Sequence, residues 1–188
     1  MGRWEPNTRQ RLAKAALELY SERGYEQTTV AEIARRAGLT ERTFFRHYAD
    51  KREVLFDGSE ELRELFVTAV AGAPGSATPI DAMAAGLEAA GDLFHDRRPF
   101  ARQRYAVIDA NAELRERELI KLASLSTAIA ETLRDRGVEE PAASLTAEAG
   151  MAVFKVGFER WIAENGERTL SALMRECLSE LRNVTGGA

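Results

Sequence analysis

The amino-acid sequence predicts an all-α protein. Apolar residues recur three and four positions apart along most of the chain, which is the spacing of one buried helix face. Val, Ile and Thr nowhere form the alternating runs that are typical of β-strands. Capping residues stand before several of the apolar runs, and glycines follow them. We therefore expect an N-terminal three-helix helix-turn-helix domain followed by a larger helical domain.

The first two predicted helices have clear ends. The first begins near residues 7–8 and ends at Gly24, where glycine can take the left-handed conformation of a helix C-terminus. The second begins after Thr29, whose hydroxyl can cap it while Glu32 reaches back in a capping box. Gly38 ends this second helix, which is only about two turns long.

The next two predicted helices also begin at capping residues. Thr40 is the N-cap of the third, and Leu39 can pack on Phe44 as a hydrophobic staple. We predict that the fourth helix begins at Asp50, with Glu53 completing a second capping box and a long apolar face following it.

The rest of the chain is predicted to be helical after one loop. The segment 72–79, GAPGSATP, contains the residues that break helices. After it, the apolar spacing and the glycines and prolines predict helices over 79–95, 98–109, 111–136, 141–164 and 168–183.

Composition excludes several classes of protein. Hydrophobic residues make up 45% of the 188 positions and charged residues 30%, as in a folded globular protein. The single cysteine, Cys177, leaves no intrachain disulfide and suits a reducing cytoplasm. There is neither a signal-like N-terminus nor an apolar run of 18 residues. We expect a cytoplasmic protein with no membrane partner.

The net charge of −4 is unevenly distributed. Residues 1–52 contain 11 Lys+Arg and 7 Asp+Glu, a net charge of +4. Residues 53–188 contain 15 and 23, a net charge of −8. The acidic total argues against a nucleic-acid binder, but the basic part coincides with the predicted helix-turn-helix, as DNA binding requires.

The segment from Thr28 to Lys51 is the first candidate functional region. Its two short helices are joined at residues 37–40, where glycine permits the turn and threonine caps the next helix. The outward face of the second of these helices is the surface that would enter a major groove, where arginine can bind guanine O6 and N7. A structural three-helix subdomain with solvated arginines is the alternative.

A set of motifs identifies a family resemblance between Arg9 and Phe56. The motifs are Gly24-Tyr25, Thr28-Thr29-Val30, Ile33-Ala34, Ala37-Gly38, Phe44-Phe45 and Tyr48 followed by Lys51. Together they resemble the N-terminal DNA-binding domain of TetR-type transcriptional regulators, over about a quarter of the chain. The hexapeptide TFFRHY also resembles the regulators encoded with mycofactocin genes, which names no effector.

The resemblance implies which residues would contact double-stranded operator DNA. Phosphate contacts are implied for Thr29, Thr43, His47 and Lys51, and base-edge contacts for Thr40, Glu41, Arg42 and Arg46. Phe45 stands where most relatives have a tyrosine that bonds a phosphate. That contact should be lost, or replaced by apolar packing against a sugar or a thymine methyl.

The resemblance also implies an Ω-shaped homodimer, with a DNA-binding domain over 1–52 and a ligand-binding and dimerisation domain over 53–188. The last two predicted helices supply an apolar seam and two glycines seven residues apart. A helix that is apolar on nearly all sides, as 141–164 is, needs two partners. The predicted dimer interface comprises Gly150, Phe154, Gly157, Trp161, Leu170, Leu173, Met174, Cys177, Leu178 and Leu181. A monomeric bundle core is the alternative.

A small-molecule effector would bind among the middle helices. The candidate lining residues of a largely apolar pocket are Met83, Leu87, Phe94, Phe100, Tyr105, Ile108, Leu122, Leu125, Phe154 and Phe158. Each of them fits a solid core at least as well. A basic cluster at His95, Arg97, Arg98, Arg102 and Arg104 could receive an anionic ligand, or could be a solvated helix junction.

Nothing in the sequence predicts an enzyme, a cofactor or a metal site. The two histidines, His47 and His95, lie in different predicted domains without a carboxylate at metal-ligand spacing. There is no glycine-rich phosphate loop and no nucleophile elbow. The hypothesis is a ligand-responsive repressor that binds a palindromic operator as a homodimer, and a protein-interaction bundle is the competing class.

Overall fold

A computed structural model describes residues 8–186 of the chain. Within this range the protein is helical and contains no strand, as predicted. The helices are α1 Thr8–Arg23, α2 Val30–Arg36, α3 Glu41–His47, α4 Ser59–Gly72, α5 Pro79–Leu93, α6 Arg98–Asp109, α7 Ala112–Asp135, α8 Ala142–Ala163 and α9 Leu170–Thr185. A start of the first helix at residue 7 lies outside the described residues.

The described residues form two compact units. The first contains residues 8–58 and 103–118, and the second contains residues 59–102 and 119–186. The functional boundary after residue 52 stays a prediction, because these units are defined by packing.

The first unit has one aromatic and leucine-rich core. Its buried members come from α1, α2, α3 and the turn after α3, and from α6 and α7: they include Leu12, Tyr20, Tyr25, Ile33, Phe44, Tyr48, Leu55, Phe56, Val107, Ile108 and Leu114. Tyr20 also donates a 2.7 Å hydrogen bond to the carbonyl oxygen of Lys51. The helix-turn-helix therefore rests on a packed base that includes residues far along the chain.

The predicted fourth helix from Asp50 is wrong: a short 3-10 turn occupies Glu53–Phe56, and α4 begins only at Ser59. Asp50 does accept bonds from the backbone N–H groups of Arg52 (2.8 Å) and Glu53 (3.2 Å), as a cap would.

Two long-range contacts explain the turn. The carboxylate of Glu53 accepts a hydrogen bond from Arg117 Nε (2.6 Å), which directs it towards α7. Arg104 Nε donates a hydrogen bond to the carbonyl oxygen of Leu55 (2.6 Å). In a continuing α-helix that oxygen would accept from the N–H four residues later.

The second unit is held together by close helix packing at glycines. A Cβ on Gly150 of α8 would lie 2.3 Å from the side chain of Met83 on α5, and one on Gly157 would lie 2.8 Å from Met174 on α9. These distances are shorter than van der Waals contact, so each glycine permits an approach that any side chain would block. The buried α8 thus packs on α5 and α9 within one chain.

Candidate functional site

The turn between α2 and α3 is built from side-chain caps and one glycine. Thr29 and Glu32 form the predicted capping box, with the N–H of Thr29 donating to Glu32 (3.0 Å) and the N–H of Glu32 donating to Thr29 (3.3 Å). Gly38 has φ = +66°, which side chains rarely adopt. The N–H groups of Gly38 and Leu39 then bond carbonyls inside α2, closing a Schellman motif.

α3 starts at its predicted cap and is packed on one side. The N–H of Thr43 donates to Thr40 Oγ1 over 3.2 Å. Phe44 is fully buried, and its ring packs against Tyr48 with the centroids 5.4 Å apart. Glu41 and Arg42 are exposed. The burial of Phe44 fixes the rotation of α3 and therefore which residues it presents to a partner.

The unpaired positive charge of the described helix-turn-helix lies on exposed arginines. Arg35, Arg42 and Arg46 have no recorded ion pair or side-chain hydrogen bond in the described part of the chain. The other arginines described in this region have internal partners: Arg9 binds Asp57, Arg11 binds the Ala37 carbonyl, Arg23 binds Glu32, Arg36 binds Glu18 and Glu22, and Arg52 binds Asp50 and Glu113. Two of the three unpaired guanidiniums are on α3, where an approaching polyanion could bind them.

Phe45 lies between these two arginines as an exposed apolar side chain. It is 55% exposed, although its ring makes an edge contact with Phe44. A phenyl ring has no hydroxyl to donate, so Phe45 can contribute only apolar contact to a ligand.

Two threonines predicted to contact DNA, Thr29 and Thr40, already serve as helix caps. Thr29 Oγ1 donates to Glu32 (2.9 Å), and the hydroxyls of Thr40 and Thr43 are 3.0 Å apart. Thr29 and Thr40 remain exposed, so DNA could still reach them, and their predicted phosphate and base-edge contacts stay predictions. The sequence predicted the caps. It did not show that each cap hydroxyl would also bond a neighbouring side chain.

His47 is half-buried, and its Nε2 is buried without a hydrogen-bond partner. Burial, with the positive charges of Arg46 and Arg9, lowers the pKa of His47 below its usual value, although Asp57 acts in the opposite direction. These surroundings therefore favour the neutral form of the imidazole. Its predicted contact with a phosphate stays a prediction.

The side chain of Lys51 is hydrogen-bonded inside the first unit. The sequence had predicted that it contacts a DNA phosphate, and that contact stays a prediction. Its Nζ donates to the carbonyl oxygens of Tyr25 (2.9 Å), Thr28 (3.2 Å) and Glu26 (3.5 Å). It also lies 4.2 Å from the centroid of the Tyr25 ring. An ammonium group has three donors, and these carbonyls use them all. Lys51 thus fastens the loop that leads into α2.

Replacing Lys51 with methionine should destabilise the protein by about 1–3 kcal/mol, because partly buried carbonyls would lose a charged donor. Thermal unfolding followed by circular dichroism measures the loss. Lys14→Met is the matched control, since Lys14 is mostly exposed and lies 4.0 Å from its only recorded partner, Glu18. Equal melting temperatures for the two variants would show that the internal bonds of Lys51 contribute nothing.

The predicted effector residues are divided between the two units. Ile108 is buried in the core of the first unit, and Tyr105 also belongs to that unit. In the second unit Met83, Leu87 and Leu125 are buried, Leu122 is half-buried and Phe100 is exposed. Helical spacing identified these residues as apolar positions but could not tell which core each would join.

Five aromatic side chains of the second unit form a cluster. Phe154 and Phe158 stack with their centroids 6.0 Å apart, and Phe66 meets Phe154 edge-on at 5.8 Å. Phe94 contacts Phe158 at 5.5 Å and Trp161 at 6.1 Å. The predicted effector residues Phe94, Phe154 and Phe158 therefore pack on one another.

A cavity of about 450 Å³ opens beside this cluster. It lies where the C-terminal end of α5, the end of α8 and the start of α9 meet. Phe94 is the one predicted effector residue in its lining, which also includes Trp161 and Leu170 from the predicted dimer interface. Most of the other lining residues are polar or charged, in contrast to the apolar pocket that the sequence predicted.

Three arginines of the predicted basic cluster each bind different groups within the chain. Arg98 lies 5.0 Å from the Trp161 ring centroid and donates to carbonyls of the loop between α8 and α9. Arg102 donates to the carbonyls of Ile162 and Glu164, both at 2.7 Å. These bonds satisfy carbonyls at the end of α8 that have no partner within the helix. Arg104 belongs to the first unit and pairs with Glu118.

Most residues of the predicted dimer interface are buried within the single chain. They are Gly150, Phe154, Gly157, Trp161, Leu170, Leu173, Met174 and Leu178. Cys177 and Leu181 are half-buried, whereas Leu145 and Val156 of α8 and Val184 of α9 are exposed. Within one chain the predicted seam thus contributes mainly to the packing of α8 and α9, and its role in a dimer stays a prediction.

The described residues contain neither a membrane-spanning helix nor a metal-binding cluster. No helix within 8–186 is long and apolar enough to cross a bilayer. No group of histidine, cysteine and carboxylate side chains in the same range is arranged to hold a metal ion.

Two protein families match the chain. The family described as bacterial regulatory proteins, tetR family, matches residues 12–57. The family described as the MftR C-terminal domain matches residues 77–186, more than half of the chain.

Individual relatives agree with this match. The transcriptional regulator TcmR of Streptomyces glaucescens is 40% identical over 82 residues, 44% of this chain and 36% of TcmR. MftR of Mycobacterium tuberculosis, named as a regulator of mycofactocin biosynthesis, is 36% identical over 66 residues, 35% of this chain and 33% of MftR. The chain matches about a third of the length of these curated relatives.

A solved structure shares the fold. The transcriptional regulator FadR from Bacillus subtilis, in complex with stearoyl-CoA, has a TM-score of 0.63 and 20% identity, covering 92% of this chain and 96% of that one.

Proposed function

The chain belongs to the TetR family of bacterial regulatory proteins, and from this premise we propose that it is a ligand-responsive repressor that binds a palindromic operator as a homodimer. The family and its relatives are transcriptional regulators, not enzymes. The proposed division assigns DNA binding to residues 1–52 and ligand binding and dimerisation to residues 53–188, in a protein that acts in the cytoplasm.

The observation that carries the proposal is the surface of α3. Arg42 and Arg46 are exposed and unpaired on it, while other arginines of the same unit are bound internally. An arginine fork matches guanine O6 and N7 in the major groove, and the exposed Glu41 can accept from cytosine N4. Phe45 adds an apolar surface that fits a thymine methyl.

Dimerisation is proposed through the outer face of α8 and α9. Leu145, Val156 and Val184 are large apolar side chains exposed on these two helices, and the half-buried Cys177 and Leu181 lie about two turns and one turn before Val184 on α9. A two-fold axis brings the same surface of two chains together and places two copies of α3 about 34–36 Å apart, or at a multiple of that distance. A near-palindromic operator follows from this symmetry.

The effector is proposed to be a small, largely apolar molecule held by the second unit. The aromatic cluster offers apolar contact, and a neighbour of the same fold carries an acyl thioester in its crystal structure. The effector need only prefer the conformation that releases DNA, and each tenfold preference shifts the equilibrium by about 1.4 kcal/mol.

Selection of bound DNA from a random pool tests the proposal. We expect an enriched inverted repeat whose half-sites are separated by about 10 base pairs or a multiple of it, because each half-site would receive one α3. Enrichment of an asymmetric sequence would contradict the two-fold arrangement. No enrichment at low salt would favour a protein-interaction bundle instead.

A further inference from the structure

Arg35 of α2 is the one unpaired arginine of the described helix-turn-helix that lies outside α3. The neighbouring Arg36 is different, because its guanidinium lies 2.8 Å from Glu22 and 3.5 Å from Glu18, both on α1. The two adjacent arginines therefore differ in what they can still bind. Arg36 is held within the protein, whereas the guanidinium donors of Arg35 are available to a partner.

The geometry of α2 places Arg35 away from α1. Glu32 and Arg36 lie one turn apart, and both pair with side chains of α1. Ile33 is buried in the core. Successive residues of an α-helix are rotated by about 100°, so Arg35 projects from the side of α2 opposite those ion pairs. The small Ala31 is exposed one turn earlier on that side and leaves the guanidinium uncovered.

The backbone of Arg35 belongs to the turn that leads into α3. Its carbonyl oxygen accepts the N–H of Gly38 over 3.0 Å. Thr40, the N-cap of α3, follows two residues after that glycine. Arg35 thus lies at the end of α2 that adjoins the start of α3, where Arg42 is exposed.

The carboxylate of Glu32, on the same helix, is already bound by other groups. It accepts from the N–H of Thr29 (3.0 Å) and from Arg23 (3.0 Å). Bonds from Thr29 lower the pKa of Glu32 most, and the positive charges of Arg23 and Arg35 lower it further, although burial acts in the opposite direction. Arg35 therefore lies near this carboxylate without forming an ion pair with it, and its charge remains available to an external anion.

We propose that Arg35 binds a phosphate of the DNA backbone beside the half-site that α3 reads. In a helix-turn-helix the second helix enters the major groove while the first crosses the backbone, and α2 is the first. A guanidinium fork fits two oxygens of one phosphate. This contact rests on the proposed function and adds to it a residue outside the reading helix, which fixes orientation on DNA without reading a base.

The salt dependence of operator binding by the full chain tests this contact. Fluorescence anisotropy gives the affinities of the unmodified chain and of Arg35→Gln for the selected operator over a series of salt concentrations. Each phosphate contact contributes about −0.9 to the slope of log affinity against log salt, so losing one contact in each subunit of a dimer should make the slope shallower by about 1.8. A change of less than about 0.9, which is less than one contact, would overturn the proposal.

Random-sequence DNA distinguishes a phosphate contact from a base contact. Arg35→Gln should lower the affinity for the operator and for random DNA by the same factor, roughly tenfold or more, because every sequence has the same backbone. Arg42→Gln should instead lower operator affinity far more than affinity for random DNA. If Arg35→Gln lost affinity for the operator alone, Arg35 would contact a base and the proposal would be overturned.

Arg36→Gln is the matched control, since it removes the same charge from the next residue of α2. Glu18 and Glu22 already bind Arg36, so its loss should leave the slope of the unmodified chain. Arg35→Lys should also keep that slope, because an ammonium group binds phosphate as a point charge. Equal slopes for Arg35→Gln and Arg36→Gln would overturn the contact, as would a slope for Arg35→Lys as shallow as that of Arg35→Gln.

Failure of this contact and failure of the proposed function give different results. If the unmodified chain bound no DNA at low salt, the proposed function and the contact would both be overturned. If the unmodified chain bound its operator with a slope that Arg35→Gln left unchanged, only the contact would be overturned, and α3 would bind DNA without it.

Discussion

Replacing both Arg42 and Arg46 with alanine is expected to lower operator affinity about a hundredfold or more. Each arginine is exposed, unpaired and on α3, so each is free to bind a guanine edge. A good bidentate contact contributes about 1–3 kcal/mol of discrimination, and two of them multiply their effects on affinity when they are independent. Fluorescence anisotropy with the selected operator at physiological salt measures the loss.

The control for this variant removes the same charge elsewhere. Arg63→Ala combined with Arg97→Ala takes the half-buried Arg63 and the exposed Arg97 from the second unit and should leave operator affinity within a few-fold of the original. Circular dichroism and sedimentation should be the same for both double variants. If the Arg42 and Arg46 variant still bound its operator at physiological salt, α3 would not be the reading helix.

Gly91→Ala is expected to destabilise the protein by about 3 kcal/mol. The added methyl would lie 2.0 Å from Ser171 Oγ, and also 2.8 Å and 2.9 Å from the nitrogen and Cα of Ser171. A side chain can rotate away, but the backbone at the start of α9 can move only by separating α9 from α5. Denaturant unfolding measures the change.

Gly72→Ala is the matched control for this prediction. Gly72 is the last residue of α4, and a Cβ there would have open space around it. Alanine should therefore be neutral or stabilise by up to about 1 kcal/mol, since it restricts the unfolded chain. If the two alanine variants were equally stable, the close contact between α5 and α9 would be absent.

Local signals predicted most helix ends in the described residues. Thr29, Thr40 and Gly38 act within a few residues of themselves, and the structure has the cap or turn expected at each. The fourth helix was mispredicted because its outcome depends on Arg104 and Arg117, which lie about 50 and 60 residues further along the chain. A capping motif cannot reveal a distant side chain that competes for it.

The surroundings of the candidate site residues could be predicted where they depend on nearby residues, and not where they depend on distant ones. The exposure of Arg42 follows from the position of Phe44 on one short helix, so the pattern was sufficient. Lys51 looked equally available, yet its ammonium is held by carbonyls of the loop before α2. Periodicity likewise marked Gly150 as a close-packing position without identifying Met83 as its neighbour.

The internal bonding of these cations should weaken the binding of this protein to DNA outside its operator. Each phosphate that a protein neutralises adds about −0.9 to the slope of log affinity against log salt, and non-operator DNA is bound almost wholly through such contacts. With Lys51 and several arginines held internally, we expect few counterions to be released on random sequence. Bacterial chromosomes offer on the order of a million competing positions or more. A DNA-binding domain that binds them weakly leaves more of a small cellular pool of the protein free to occupy the operator.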